Sequence, residues 1–211
     1  MRAQLLYIWC GIRYNFFMNK TYKLVSIAML TALSIVANIL TIPLFGTNSM
    51  SFTIAVCFFT GIYFGVLPAA VVGYTGDLIA HLILPMGAYN WFIALSTTLF
   101  GVICALVYKL RLPKLANLGI AAAICYVVCL CGLNTFGLWL NYCANVSPSP
   151  AGLVKFIAMD KSSITKSFWV YLGGRAPWSA INIVMNAVIV AGLQQSGIVA
   201  KLAKRVHSAQ N

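Results

Sequence analysis

The chain has 211 residues, of which 62% are hydrophobic and only 8% are charged, and its formal net charge is +12. A soluble domain of this length could not bury so much apolar surface, so the composition excludes an ordinary water-soluble fold. The basic residues lie in loops and tails, which is typical of segments that face the cytoplasm and anionic lipid and argues against nucleic acid as the partner.

The apolar runs are about 14 to 25 residues long, which favours membrane-spanning helices over the shorter alternating strands of a barrel. We therefore predict an all-α, polytopic membrane protein with six transmembrane helices. They form one domain, residues 24–198, preceded by a basic and aromatic segment, residues 1–23, and followed by a basic tail, residues 199–211. The predicted helices cover residues 24–44, 52–65, 67–84, 89–108, 115–140 and 175–197.

Residues 1–23 do not resemble a signal peptide, because no small-residue cleavage site follows them. Two interpretations stay open. Either the segment is an amphipathic stretch on the inner leaflet, or the native chain begins at Met18 and residues 1–17 are not translated.

In the first predicted helix, Ala28 and Ala32 lie four residues apart and share one face. Small residues at this spacing let two helices approach closely. The face either packs inside the protein or docks another subunit, and the pattern does not choose between these roles.

The third predicted helix carries Asp77, one of only two acidic residues in the chain. A carboxylate at membrane depth is costly and marks a functional site by default. His81 follows four residues later on the same face, so the two side chains can hydrogen-bond. Asp77 therefore either binds a ligand or makes a structural bond to His81 or the backbone.

The long connection, residues 141–174, carries Lys155, Lys161 and Lys166 together with several aromatic residues. A loop of this length in a compact protein is usually functional or disordered, and its aromatic residues favour order at a membrane interface. The lysines either steer an anionic ligand or keep an exposed loop soluble.

The sixth predicted helix begins near Arg175 with Pro177 in its first turn, after a break at residues 173–174. Asn182 and Asn186 lie four residues apart on one of its faces. They are either pocket residues or hydrogen-bonding groups between helices.

Charge gives the orientation of the predicted bundle. Six spans place both termini on one side, where the basic tails and the basic loop 109–114 collect, so the positive-inside rule predicts cytoplasmic termini. The connections 45–51, 85–89 and 141–174 then face outward together. We expect an outward-facing pocket beneath the longest of them.

The seven cysteines show no Cys-x-x-Cys pairing with histidines, and most lie in apolar runs, where cysteine behaves as a small hydrophobe. We therefore predict no metal site and no cofactor. The sequence also has no phosphate-binding Gly-x-x-x-x-Gly-Lys-Ser/Thr run, so ATP-driven uptake would need the motor of another subunit.

Four stretches of the chain, taken in order, carry a resemblance to a known family. They are Ala28-Met-Leu-Thr-Ala32, Gly73-Tyr-Thr-Gly-Asp77, Pro85-Met-Gly-Ala-Tyr89 and Arg175-Ala-Pro177. Over residues 20–197 the chain resembles the substrate-binding S component of energy-coupling factor (ECF) vitamin transporters, most closely the folate family.

The resemblance implies a vitamin-binding protein of the bacterial plasma membrane, not an enzyme. It implies that Ala28 and Ala32 dock a transmembrane T subunit that works with two cytoplasmic ATPases, and that the S component topples in the membrane during transport. The vitamin-binding residues implied by the resemblance are Asn48, Asp77, Tyr89, Trp91, Trp169, Arg175, Trp178 and Asn182.

A folate-like ligand has a flat heteroaromatic ring, an aryl group and a carboxylate tail. The tryptophans of this set and Tyr171 either offer aromatic faces to the ring or form an ordinary interfacial belt. Arg175 pairs either with the ligand carboxylate or with an internal partner such as Asp77 or Asp160. Asp77 suits the guanidine-like edge of a pterin.

Three other functions stay open. An S component for pantothenate, riboflavin or a deazapurine is not excluded. An intramembrane enzyme using Asp77 and His81 needs a second acid or a nucleophile at the same depth, and none stands out. A self-sufficient ion-coupled carrier usually shows internal repeats and several membrane acids, and neither is evident.

Overall fold

The computed structural model describes residues 20–43, 49–85, 88–110, 112–159 and 164–196, and within them the chain is almost entirely helical, which confirms the all-α prediction. A π-helical segment, Tyr126–Asn134, joins two of the helices, and strands β1 (Ile42–Pro43) and β2 (Ser49–Met50) form one short antiparallel pair. The helices are α1 (Lys20–Ile39), α2 (Thr53–Phe64), α3 (Val66–Ile83), α4 (Trp91–Val107), α5 (Lys114–Cys125), α6 (Thr135–Tyr142), α7 (Pro150–Ala158) and α8 (Phe168–Gln195).

Four helical stretches within the described residues are long and apolar enough to cross a membrane. They are Thr21–Ile39, Val66–Ile83, Lys114–Tyr142 and Phe168–Gln195. The apolar helices α2 and α4 are shorter, with 12 and 17 residues. At about 1.5 Å per residue, α2 reaches only about 18 Å, well short of a hydrocarbon core of about 30 Å.

The helices overlap the predicted spans, but the prediction is wrong in two places. The first helix ends at Ile39, not at residue 44, because Ile42–Pro43 pair with Ser49–Met50 as a strand. The second place is the long connection. Residues 141–174 contain α7 and the first turns of α8. A Ser149 side chain that accepts the Gly152 N–H at 3.1 Å, followed by Pro150, starts α7. Pro177 lies inside α8, not in its first turn.

The break predicted at residues 173–174 is helical in the structure. Proline and glycine are tolerated in membrane helices when neighbouring groups satisfy the backbone that they free. Pro177 frees the Gly173 carbonyl, four residues earlier, and close to it the Tyr126 hydroxyl anchors α8 by donating to the Ala176 carbonyl at 3.1 Å. The neighbouring helix therefore supports α8 at the point where the sequence suggests that it ends.

Helix α3 lies between α1 and α4, and glycine permits both contacts. A Cβ at Gly73 would lie 2.7 Å from the Thr97 carbonyl oxygen of α4, so the two backbones touch. Gly65, with φ of 90°, reverses the chain between α2 and α3 in a conformation that side chains disfavour. The core beside them contains Phe58, Phe100 and four fully buried cysteines, Cys57, Cys104, Cys125 and Cys129.

The π-helical segment changes the fifth predicted helix from a uniform rod into two α-helices with a wider turn between them. Its loosened carbonyls are met by side chains. Thr135 donates to the Leu130 carbonyl at 2.7 Å, and Ser96 of α4 donates to the Cys129 carbonyl at 3.2 Å. The segment shifts the register of α6 relative to α5.

Candidate functional site

The candidate site is built around Asp77, which is 8% exposed on α3. Asn38 of α1 donates from Nδ2 to Asp77 Oδ1 at 3.1 Å. This pairing follows from helix packing, because a Cβ at Gly76 would lie only 2.8 Å from Ser34 Cβ, so α1 and α3 are in close contact one turn below Asn38. The glycine beside Asp77 therefore brings the amide within reach of the carboxylate.

Tyr89, in the turn before α4, adds a hydroxyl to this cluster. Its Oη is buried beside the Asp77 carboxylate but makes no hydrogen bond of normal length and angle to any described residue. Its ring packs edge-on against His81 and Trp91, with centroids 5.1 and 5.5 Å apart. Burial, and then the Asp77 carboxylate, raise the pKa of Tyr89 above its ordinary value. The phenol therefore stays protonated at neutral pH and is a hydrogen-bond donor.

The predicted hydrogen bond between Asp77 and His81 is not formed within the part of the chain that the structure describes. Asp77 bonds to Asn38 instead, and His81 packs against the Tyr89 ring. Among the described residues, no three histidine, cysteine or acidic side chains group closely enough to hold a metal ion.

Helix α8 contributes a stripe of polar and aromatic side chains at three- and four-residue spacing, so they share one face. Arg175 is 8% exposed, and its guanidinium carbon lies 6.0 Å from the centroid of the Tyr171 ring. Trp178 is half-buried, and Asn182 is buried below it. Arg175 and Asn182 are thus buried in the same helical bundle as Asp77, although they are far from it in the sequence.

Asn186 closes the lower end of the stripe and is fully buried. Its Nδ2 donates to Asn182 Oδ1 and to the Ser51 carbonyl, both at 2.9 Å, and its Oδ1 accepts the Ala55 N–H at 3.0 Å. Ser51 in turn donates to the Ala37 carbonyl at 3.2 Å. Asn186 therefore joins α8 to the start of α2. Through Ser51 it is also linked to the end of α1, next to Asn38.

An aromatic cluster that the sequence analysis missed covers the end of α6 and the start of α8. Trp139 is 6% exposed, donates from Nε1 to the Lys166 carbonyl at 2.8 Å, and packs against Phe136, Phe156 and Phe168. The signal in the sequence is the spacing of Phe136 and Trp139, three residues apart on one helical face.

The structure treats the predicted site residues unequally. It brings Asp77, Tyr89 and Trp91 together, and it aligns Arg175, Trp178 and Asn182 on α8. Trp169 does not join them, because it is 76% exposed and touches the ring of Phe168. Asn48 lies outside the described residues. Asn38 was missed, although a polar residue inside the first apolar run was visible in the sequence.

Ala28 and Ala32 lie on the exposed side of α1. The opposite side of the same helix is buried through Ser34 and Ala37. The small-residue face is therefore not used for packing within the part of the chain that the structure describes.

These features define a helical membrane protein with buried polar groups gathered inside an apolar bundle. Residues 22–193 match the model of a protein family, the ECF transporter, substrate-specific component, and the chain belongs to that family. No curated protein matches the chain. A solved structure, described as the S component of a bacterial ECF transporter, is similar over 88% of this chain and 99% of that one, with a TM-score of 0.60 and 17% sequence identity, which shows a shared fold.

Proposed function

We propose that this substrate-specific component captures a folate-like vitamin outside a bacterial plasma membrane and delivers it to a T subunit and two ATPases. In this proposal the six transmembrane segments are α1, α2, α3, α4, the continuous stretch from α5 through α6, and α8. Both termini are cytoplasmic, and the vitamin enters from the side of the aromatic cluster around Trp139. The proposed role is binding and delivery, without catalysis.

The arrangement of Asp77, Asn38 and Tyr89 carries the proposal. Asp77 offers acceptor oxygens beyond the one bonded to Asn38, and Tyr89 offers a protonated hydroxyl with no partner among the described residues. A carboxylate and a donor beside aromatic rings match the edge of a flat heteroaromatic ring that carries an amino group and a ring N–H. A pterin has this edge.

Arg175 supplies the complementary charge in the proposed site. The buried guanidinium lies on the same face of α8 as Trp178 and Asn182, and a planar fork of donors suits a carboxylate. We assign it to the carboxylate tail of the vitamin. Together, Asp77 and Arg175 would select a ligand with a basic or donor-rich head and an anionic tail, which favours folate over a neutral precursor.

The exposed Ala28 and Ala32 face supports the proposed docking to the T subunit. Helices in lipid associate mainly by close packing, since there is no hydrophobic driving force between them, and small side chains permit that packing. A folded protein that leaves such a face uncovered on α1 is suited to a helix from another subunit.

The experiment is to purify the protein from cells grown in rich medium, denature it and record the absorbance of the released ligand. We expect a pterin spectrum from the wild type and little ligand from Asp77→Asn, with Trp169→Phe as the control because that side chain lies away from the site. A flavin spectrum, or a pterin retained equally by Asp77→Asn, would contradict the proposal.

A further inference from the structure

An apolar groove runs between α5 and α8, away from Asp77 and Arg175. Its volume is about 470 Å³. Small side chains from both helices form an open depression, and branched side chains lie along its sides. The lining includes Gly119, Ala122, Tyr126, Ala180, Val184 and Ala187.

Hydrogen bonds join the helices at both ends of this groove. Tyr126 donates to the Ala176 carbonyl at 3.1 Å at one end. Gln194 of α8 donates to the Tyr108 hydroxyl at 2.8 Å near the other, and that hydroxyl donates to the Lys114 carbonyl at 3.1 Å. The helices are thus joined near both ends of the groove.

The groove has the dimensions of one lipid acyl chain. From Leu115 to Tyr126, α5 advances about 16 Å, which is about half of a hydrocarbon core and so corresponds to one leaflet. A dry apolar cavity of about 150 Å³ holds one benzene ring. A groove of about 470 Å³ therefore has room for roughly three times as many carbons, on the order of 18.

Basic residues precede α5 in the sequence, at the Leu115 end of the groove. Lys114 directly precedes the lining residue Leu115 and is exposed, as is Lys109. Arg111 lies between them in the sequence, and the segment 108–116 contains no acidic residue. Clusters of lysine and arginine beside membrane helices attract anionic lipid headgroups. A phosphate at this level would place its acyl chain along the groove.

We propose that this groove binds one acyl chain of an anionic phospholipid, with the phosphate at Lys114. The site is separate from the vitamin site. With both termini in the cytoplasm, as proposed above, it lies in the inner leaflet, and only this placement rests on the proposed function. The bound chain fills the space between α5 and α8 and adds apolar contacts where the helices lack them.

The test uses the full chain in nanodiscs with equal amounts of phosphatidylglycerol and phosphatidylcholine, followed by native mass spectrometry of the lipid that it retains. Gly119→Leu places an apolar side chain in the groove at a position where its Cβ meets no atom within 4 Å. Gly192→Leu is the matched control, since its Cβ position is equally open but the residue does not line the groove. Lys114→Gln removes the headgroup contact.

We expect the wild type and Gly192→Leu to retain one phosphatidylglycerol. Gly119→Leu should retain about tenfold less, the effect of losing burial of about two methylene groups. Lys114→Gln should lower the preference for phosphatidylglycerol about fivefold. Vitamin binding, measured on the same samples, should be unchanged in all three variants, so failure of the lipid site and failure of the vitamin site give different results.

Retention by Gly119→Leu equal to that of the wild type would overturn the proposal. Equal retention of phosphatidylcholine and phosphatidylglycerol by the wild type would overturn it too, because the site would then show no preference for an anionic headgroup. A Gly119→Cys variant that cross-links to another protein chain in native membranes, with no lipid retained, would assign the groove to a partner helix and overturn it as well.

Discussion

Among the described residues, the Asn38 amide makes the one well-formed side-chain hydrogen bond to Asp77 in the apolar bundle. A buried polar group costs free energy when its hydrogen bonds are incomplete, and a charged one costs more. The nearby Tyr89 hydroxyl is buried without a hydrogen-bond partner in the described chain. A ligand that donates to Asp77 and accepts from Tyr89 would complete both sets of bonds.

Replacing Tyr89 with phenylalanine separates a binding role from a structural one. Because Tyr89→Phe removes a buried hydroxyl that makes no hydrogen bond of normal geometry to the described residues, we expect the thermal midpoint of the ligand-free protein in detergent to stay the same or rise. Vitamin affinity should fall about tenfold, the worth of one hydrogen bond. Isothermal titration calorimetry and thermal unfolding measure the two effects.

The control for this substitution is Tyr142→Phe, since Tyr142 is exposed at the end of α6. It should change neither quantity. If Tyr89→Phe lowered the thermal midpoint and left vitamin affinity intact, the hydroxyl would be structural and its place in the binding site would be wrong.

At the scale of single residues, the sequence identified groups that are costly to bury but not their partners. Asp77 and Asn182 are buried, as expected for polar groups inside apolar runs, and Arg175, which was predicted at a helix start, is buried as well. The pairing of Asp77 with Asn38 depends on how α1 crosses α3, and the sequence does not specify that angle. Trp169 was placed in the site by resemblance alone, and the helical rotation of α8 leaves it exposed.

The positions of the helices were more predictable than the contacts between them, because length and apolar character indicate which segments can cross a membrane. The errors fall where local signals and tertiary contacts disagree. Pro177 and the glycines before it suggest a helix start, yet α8 continues through them with support from Tyr126. The π-helical turn of Tyr126–Asn134 left no trace in the sequence pattern, since its residues are as apolar as those around it.

Gly73 tests the packing of α3 against α4. A Cβ there would lie 2.7 Å from the Thr97 carbonyl oxygen, and backbone cannot move aside as a side chain does. We expect Gly73→Ala to destabilise the protein by about 1–2 kcal/mol, because overpacking outweighs the gain in helix propensity. The measurement is thermal unfolding in detergent, monitored by circular dichroism.

Gly173→Ala is the matched control for this prediction. It is also a helical glycine, but its Cβ would meet nothing within 4 Å, so the same substitution should be neutral or stabilising by about 0.5–1 kcal/mol. Equal effects at the two positions would mean that α3 and α4 are not in backbone contact.

At the scale of the whole molecule, the buried polar cluster and the exposed small-residue face use different sides of α1, since Asn38 lies about 80° round the helix from Ala28 and about 120° from Ala32. Asn38 points its amide to Asp77 inside the bundle, whereas Ala28 and Ala32 are exposed. A protein that binds its cargo inside and docks its motor outside needs this separation, because each surface can then be altered without the other.

Bulky side chains on the exposed face should therefore stop transport without stopping capture. We expect the double variant Ala28→Phe and Ala32→Phe to bind vitamin with wild-type affinity, since neither residue is buried. Vitamin uptake by cells expressing the T subunit and ATPases should fall about tenfold or more, because overpacking a helix interface costs enough to disrupt the assembly. Leu33→Phe places an aromatic ring about 100° further round α1 than Ala32 and should leave uptake intact. Uptake that survives the double variant, or affinity lost together with uptake, would show that docking does not use this face.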